Sequence, residues 1–307
     1  MKKTPIVILS LFDGISCGQA ALKKLLPKGR KYIYYACEIE KGAIRITMHN
    51  FPNTIQLGDI RNLTREMIPY EVLIVMGGSP CQCFSIAGRR NGMSTIEDIE
   101  VITLPQYLKL KEEGFEFVGE SYLYWEFVRV IEMFKPKYFL LENVSMPAKW
   151  KDTISSGLGV QPIKINSDLV SAQNRLRYYW TNIPGVEVPE DRQIYLHDMI
   201  KDAKGYGERN EFGGNYRPDG TKKWDKKRID IRKNGKANCL TCKDNITTRY
   251  ILPDGSIHKY TMNELEVLQT LEKGYTDVPG LSRAVKVKGI GNGWTVDVIT
   301  HILKNII

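Results

Sequence analysis

The sequence predicts an α/β fold, a doubly wound and mostly parallel sheet joined to a smaller, irregular second region. Three observations carry that expectation. Over the first 180 residues, apolar runs of four to six residues alternate with stretches of helical spacing. Such runs are too short for core helices and too evenly apolar for strands with one wet face, so they suit strands buried on both sides. Each run ends in Gly, Asp, Glu or Asn, the residues that turn a chain. Beyond about residue 180 the texture changes to Gly, Lys, Asn and Asp with few apolar runs.

Taken in order, 6–11 reads as a strand ended by Asp13-Gly14, and 18–26 continues at helical spacing. Residues 32–38 form a second strand with Glu38 at its end. Residues 72–76 form a third, ended by Gly77-Gly78. A helix over 123–134 stops before Pro136, and 138–141 is a strand ended by Glu142-Asn143. The helical pattern returns at Thr261, with a final core helix over 296–303. Ligands of doubly wound sheets bind beyond the carboxyl ends of the strands. Asp13-Gly14, Glu38, Gly77-Gly78 and Glu142-Asn143 all fall at that edge.

Composition narrows the partners. With 307 residues, 42% hydrophobic and 26% charged, the chain is globular and makes one large domain or two unequal ones. No apolar run approaches the roughly 18 residues that span a bilayer, so a transmembrane protein is not expected. Lys2-Lys3 before the apolar run 5–12 imitates a secretion signal. Asp13-Gly14 interrupts it and no small-residue cleavage site follows, so a buried strand is the better reading. Six cysteines in so long a chain make no disulfide framework and read as reduced thiols of a cytosolic protein. Lys and Arg number 44 against 35 Asp and Glu, a net +9, which suits a polyanionic partner. Two thirds of that excess lies in residues 217–236, where nine basic residues face three acidic ones, with Trp224 among them and Tyr216 beside them. The segment is either a solvated loop or a phosphate-contacting surface.

Two stretches carry chemistry. Phe12-Asp13-Gly14-Ile15-Ser16-Cys17-Gly18 is a Gly-containing strand-to-helix turn, which lets a ligand approach the backbone. With Glu38 placed to accept ribose hydroxyls, and Asp59 of Gly58-Asp59-Ile60 at the same edge, the pattern points to a nucleotide-like cofactor. In Gly77-Gly78-Ser79-Pro80-Cys81-Gln82 a cysteine follows a strand in a tight turn, the setting of a nucleophile. Cys83 lacks that turn and reads as a bystander.

These residues bring a family into view. Pro80-Cys81-Gln82 with Phe84-Ser85 and Gly88 resembles the signature of DNA cytosine-5 methyltransferases. Glu142-Asn143-Val144 is similar to that family's Glu-Asn-Val motif, and Gln173-Asn174-Arg175-Leu176-Arg177 to its Gln-x-Arg-x-Arg motif. Phe12 to Gly18 and Gly291-Asn292-Gly293-Trp294 resemble its first and last cofactor motifs. All stand in the family's order and span almost the whole chain. Asp13-Gly14-Ile15, Tyr178-Tyr179-Trp180, Ile246-Thr247-Thr248-Arg249 and Tyr275-Thr276-Asp277-Val278 resemble the wording of the de novo branch, here as a bare catalytic chain.

The resemblance implies an S-adenosyl-L-methionine-dependent enzyme acting on double-stranded DNA, expected as a monomer without metal or membrane partner. It implies Cys81, Glu142, Arg175 and Arg177 as catalytic residues. Phe12, Asp13, Gly14, Gly18, Glu38, Ile39, Asp59, Ile60, Pro80, Leu123, Asn292, Gly293 and Trp294 would bind the cofactor, with Ile39 and Leu123 against its adenine. Gln82, Ser85, Arg89, Arg90, Lys222, Lys223, Lys226, Lys227, Thr248 and Arg249 would meet DNA. Residues 1–180 would be catalytic, 181–260 would recognise the target, and 261–307 would return to complete the catalytic domain.

Two departures stand out. Leu268-Gln269 is not followed by the family's usual Gly-Phe-Pro, which bears on how the recognition region is anchored. Cys81 and Leu123 are 42 positions apart, about twice the family's usual spacing, so the resemblance implies an insertion near 94–119, in or beside the catalytic loop, either a surface excursion or a DNA-contacting arm. Three other readings compete. A related branch with the same motifs methylates transfer RNA; the de novo wording and the basic segment favour DNA. A catalytically dead DNA-binding relative should have lost one of Cys81, Glu142 or the arginines. A metal module at Cys239-x-x-Cys242 lacks a second ligand pair at zinc spacing.

Overall fold

The computed structural model describes residues 5–80, 93–216 and 222–307, with the backbone alone over 209–216 and 222–228. The chain divides into two compact units. The first comprises Met1–Asn166, Leu176–Pro189 and Val296–Ile307; the second comprises Ser167–Arg175 and Glu190–Thr295. The expected boundaries therefore shift. The second unit extends well past residue 260, and only the last twelve residues of the expected return segment rejoin the first unit.

The first unit runs β1 (Ile6–Leu11), α1 (Cys17–Leu25), β2 (Tyr32–Cys37), α2 (Lys41–Asn50), β3 (Ile55–Gln56), β4 (Ile74–Gly78), α3 (Leu104–Glu112), α4 (Tyr124–Phe134), β5 (Tyr138–Val144), α5 (Ala148–Leu158), β6 (Ile163–Asn166) and β7 (Leu176–Thr181). Its seven strands form one sheet in the order β3-β2-β1-β4-β5-β7-β6. The β1–β2, β1–β4, β2–β3 and β4–β5 pairs are parallel, while β7 runs antiparallel to β5 and β6. The doubly wound, mostly parallel sheet expected from the sequence is present. Val7 to Leu11 are all 2% exposed or less, which is why β1 reads as an unbroken apolar run and not as an alternation. Strand order reverses between β1 and β4, so the crevice of such a sheet lies beyond their carboxyl ends.

The insertion is neither a surface excursion nor built for phosphate. Val101, Leu104, Tyr107 and Leu110 enter the main apolar core beside Tyr124, Trp125 and Phe127 of α4. Thr103 caps α3 through a bond from the backbone N–H of Gln106. Residues 94–119 hold six acidic residues against two basic ones, the wrong sign for a DNA-contacting arm.

The second unit contains α6 (Leu196–Met199), β8 (Lys204–Tyr216), β9 (Lys222–Ile231), β10 (Arg249–Ile251), β11 (Ile257–Lys259), α7 (Met262–Leu268) and α8 (Arg283–Asn292). Its strands form an antiparallel sheet ordered β11-β10-β8-β9. Of the basic segment, Lys222–Ile231 is a strand. Lys222, Lys223, Lys226 and Lys227 sit in β9, with Lys226 paired to Glu211 and Lys227 to Asn210 across a long hairpin. A reciprocal box of bonds between Thr261 and Glu264 starts α7.

The chain returns to the first unit as α9 (Val296–Leu303), the helix expected over 296–303. α9 packs on α1, where Lys24 and Asp297 form an ion pair at 2.6 Å. Among the described residues, no helix is long and apolar enough to cross a membrane.

Candidate active site

The first unit gathers one group of polar side chains around the turn after β1. Gly14 has φ +58°, a conformation glycine adopts without strain. Its N–H donates to Glu38 Oε2 at 2.7 Å, and the N–H groups of Ile39 and Glu40 donate to Oε1, both at 2.8 Å. Glu38 thus joins the ends of β1 and β2, leaving little of its carboxylate unengaged for a ribose. Tyr34, which the sequence reading missed, donates its hydroxyl to Asp13 Oδ1 at 2.8 Å. Asp13 Oδ2 is buried with no hydrogen-bond partner among the described residues. Burial lifts the Asp13 carboxyl to about 6, against the pull of the Ser10, Tyr34 and Ser16 hydroxyls around it. Asp59 is held by Arg61, whose guanidinium lies 2.5–3.0 Å from its oxygens and keeps the carboxyl below its ordinary value. Ile39 is 60% exposed, an apolar side chain left open at this edge. Leu123 is half-buried at the start of α4, and Ile60 is buried. Gly18 lies so close to Met76 and Tyr34 that a Cβ there would collide with both.

The buried Asp13 yields a test. A carboxyl raised to about 6 holds its proton more tightly in the folded chain than in the unfolded one, where it titrates near 3.9. Between about pH 4 and pH 6 the unfolded form therefore ionises first, and stability falls as pH rises. Above that window the cost is complete, on the order of 3 kcal/mol. Asp13→Asn should flatten this decline and leave the variant more stable than the parent at pH 7. Urea midpoints at pH 4, 5, 6 and 7 check it; parallel curves for the two proteins would refute the assignment.

The second group stands at the ends of β4 and β5. Glu142 pairs with Arg177 across 2.9 Å, both side chains largely buried. Asn143 Nδ2 donates to the carbonyl and hydroxyl oxygens of Ser79 at 3.2 and 3.1 Å. Asn143 therefore fastens β5 to the turn that leads through Pro80 to Cys81. Cys81, Gln82, Cys83, Ser85, Arg89 and Arg90 lie outside the described residues. Two other thiols of this unit, Cys17 and Cys37, are buried, and burial pushes Cys37 up to about 12.

Arg175 departs from its expected role. It is 4% exposed, and its guanidinium donates to the carbonyls of Leu240, Gly291 and Gly293 at 2.9–3.1 Å. Its work lies inside the second unit, where it holds the last turn of α8 and not a base. Gln173 and Gln269 serve the same junction. Gln173 Nε2 donates to the Leu268 carbonyl and to Gln269 Oε1, and Gln269 Nε2 donates to the carbonyls of Ile290 and Gly293. The buried Glu266 accepts from the backbone N–H groups of Gly274 and Thr276. Gln269 and Glu266 thus supply the anchoring that the absent Gly-Phe-Pro leaves open. A Cβ on Gly291 would strike the Thr241 backbone. Of the last cofactor motif, Gly293 and Trp294 are buried and Asn292 is exposed, all within the second unit.

Two basic-region expectations also change. Lys236, the last of the nine basic residues counted in 217–236, is 5% exposed and donates to the carbonyls of Asp168, Ser171 and Ile194. It ties down the segment before Arg175 and is not a phosphate contact. Thr248 is fully buried, its hydroxyl donating to Asp244 and to the Asn245 carbonyl, so it does not meet DNA. Arg249 begins β10 half-buried, and its Nε has no partner among the described residues.

Known proteins resemble this chain at both levels. Residues 6–153 match the family model described as C-5 cytosine-specific DNA methylase. The orphan methyltransferases M.SPBetaI of Bacillus phage SPbeta and M.Phi3TI of Bacillus phage phi3T are each 30% identical over 285 residues. Each alignment covers 87% of this chain and 61% of the relative, so the chain spans less than two thirds of the length of these relatives. Among solved structures, a mutant of Spodoptera frugiperda DNMT2 superposes with a TM-score of 0.61 at 17% identity, over 98% of this chain and 99% of that one. The Entamoeba histolytica methyltransferase EhMeth superposes with a TM-score of 0.63 at 14% identity, over 99% and 98%. At such identities the two superpositions speak for the fold.

Proposed function

We propose that this chain, whose residues 6–153 match the C-5 cytosine-specific DNA methylase model, transfers a methyl group from S-adenosylmethionine to C5 of a cytosine flipped out of duplex DNA. The observation that carries this reading is the Glu142–Arg177 ion pair at the end of β5, with Asn143 holding the turn that enters Cys81. Carbon C5 of cytosine is a weak nucleophile. Attack of the Cys81 thiolate on C6 gives an enamine whose C5 carries the electron density, which splits one hard step into two. Glu142 contacts N3 and the exocyclic amine, where charge changes during that attack, and Arg177 fixes its carboxylate. Loss of the C5 proton then expels Cys81. C6 is out of reach in a stacked duplex, so the base leaves the helix.

The residues after β1 and β2 fit the cofactor. Asp13 offers an unpartnered buried oxygen for a cation, and S-adenosylmethionine carries an ammonium and a sulfonium. Exposed Ile39 and half-buried Leu123 offer apolar contact for a purine, and Asp59, an acceptor only, suits its exocyclic amine. When bound, S-adenosylmethionine supplies the methyl group. These side chains hold and orient it.

Methyl transfer from tritiated cofactor to duplex DNA, with transfer RNA as the competing substrate, tests the function. Label in DNA alone supports the proposal, and label in transfer RNA alone replaces it. The lysines of β9 are assigned to phosphate contact. Replacing Lys222, Lys223, Lys226 and Lys227 together with glutamine should weaken binding to every duplex alike. It should also lower the slope of log affinity against log salt by roughly 3 to 4. Sequence preference should survive, since phosphate contacts position and base contacts specify. An unchanged slope would return these lysines to the solvent.

A further inference from the structure

We propose that the insertion preceding α4 positions the cofactor's purine, with Tyr107 and Lys111 of α3 as positioning residues. The proposal rests on the reading that Asp59 meets the exocyclic amine of that purine and Leu123 its face. Glu126 of α4 is fully buried, and its two oxygens are held from different sides. Oε1 accepts from the Tyr107 hydroxyl at 2.6 Å and from Lys111 Nζ at 2.6 Å, both supplied by the insertion. Oε2 accepts from Arg129 Nε at 2.5 Å. The rest of the Arg129 guanidinium donates to the carbonyl of Ile60 at 2.8 Å and to that of Leu63 at 3.1 Å. Those carbonyls close the turn that begins at Asp59, whose Oδ1 caps it by accepting from the N–H of Arg61.

A continuous set of bonds therefore runs from α3 through Glu126 and Arg129 to the Ile60 and Leu63 carbonyls of the turn that Asp59 caps. A second route reaches the neighbour of Leu123, one of the two apolar candidates for the purine. Phe117 stacks on Tyr122 with ring centres 4.6 Å apart, and Tyr107 lies 6.0 Å from the same ring. A buried carboxylate keeps one orientation when donors hold both of its oxygens. Without the two donors on Oε1, Glu126 is free to turn, and Arg129 loses its fixed aim at the Ile60 carbonyl. The insertion thus acts on the cofactor from a distance. Its acidic balance, unsuited to DNA, agrees with this role.

The test is calorimetric titration of the full chain carrying Tyr107→Phe and Lys111→Met, which keep the rings and the aliphatic stem. The probes are S-adenosylhomocysteine and its analogue lacking the purine 6-amino group. The wild type should bind the first more tightly. The double variant should lose about tenfold for S-adenosylhomocysteine, the worth of one well-placed bond to a charged acceptor, and less than twofold for the analogue. Equal losses for both ligands, or no loss for either, would overturn the proposal while leaving the Asp59 reading intact. A wild type that binds both ligands alike would overturn the Asp59 reading and the proposal with it. If the double variant does not fold, Tyr107→Phe alone carries the same comparison.

Discussion

Replacing Cys81 with serine should abolish methyl transfer, while S-adenosylhomocysteine should bind the variant about as well as the parent. That is the largest effect we expect from any single substitution. Near neutral pH a hydroxyl offers almost no alkoxide, whereas a thiolate is both more populated and more nucleophilic. The turn that enters Cys81 is fastened by Asn143 to Ser79, and the cofactor-side residues lie around the ends of β1 and β2. Binding of the cofactor should therefore be spared. Duplex DNA with 5-fluorocytosine at the target supplies the second readout. Fluorine at C5 cannot leave as a proton, so the parent stays covalently bound and the Cys81→Ser variant does not. A serine variant with ordinary turnover, or one that is still trapped, would remove Cys81 from the mechanism.

Glu142→Gln slows the chemical step by about a hundred- to a thousand-fold, the usual loss when one group that stabilises developing charge is removed. The amide is isosteric, but it no longer forms the 2.9 Å ion pair with Arg177 and cannot share a proton with N3 in the same way. Because the lost interaction belongs to the transition state, single-turnover rates should fall much further than DNA affinity. Equal falls in both would make Glu142 a binding residue. An unchanged rate would remove it altogether.

The site residues that were legible in the sequence sit at strand ends of the parallel sheet. A strand buried on both faces leaves a short apolar run, and the polar residue that ends it is conspicuous, as with Asp13, Glu38 and Glu142. The second unit was less legible. Lys222 to Ile231 form a strand, yet the run is so rich in charge that it carries no two-residue apolar rhythm, and it reads as a loop. Lys236 looked like one more surface cation because burial by three backbone carbonyls leaves no trace in composition. Arg175 and Arg177 are two residues apart in one motif, and spacing alone could not tell that one clamps backbone while the other meets a carboxylate. The insertion was visible as excess length, but its tie to Glu126 was not, since a lone Glu within a helical apolar pattern usually faces water.

The first unit leaves its own chain at Pro189 and resumes it at Val296. To that unit, the 106 residues of Glu190–Thr295 are a single closed loop. The entropy of closing a loop grows only with the logarithm of its length, so doubling it costs the first unit about 0.6 kcal/mol. Residues can be added to the β8–β9 hairpin, or removed from it, at almost no penalty to the packing of α9 on α1. The part of the chain assigned to phosphate contact is thus thermodynamically cheap to lengthen or shorten without refounding the seven-stranded sheet.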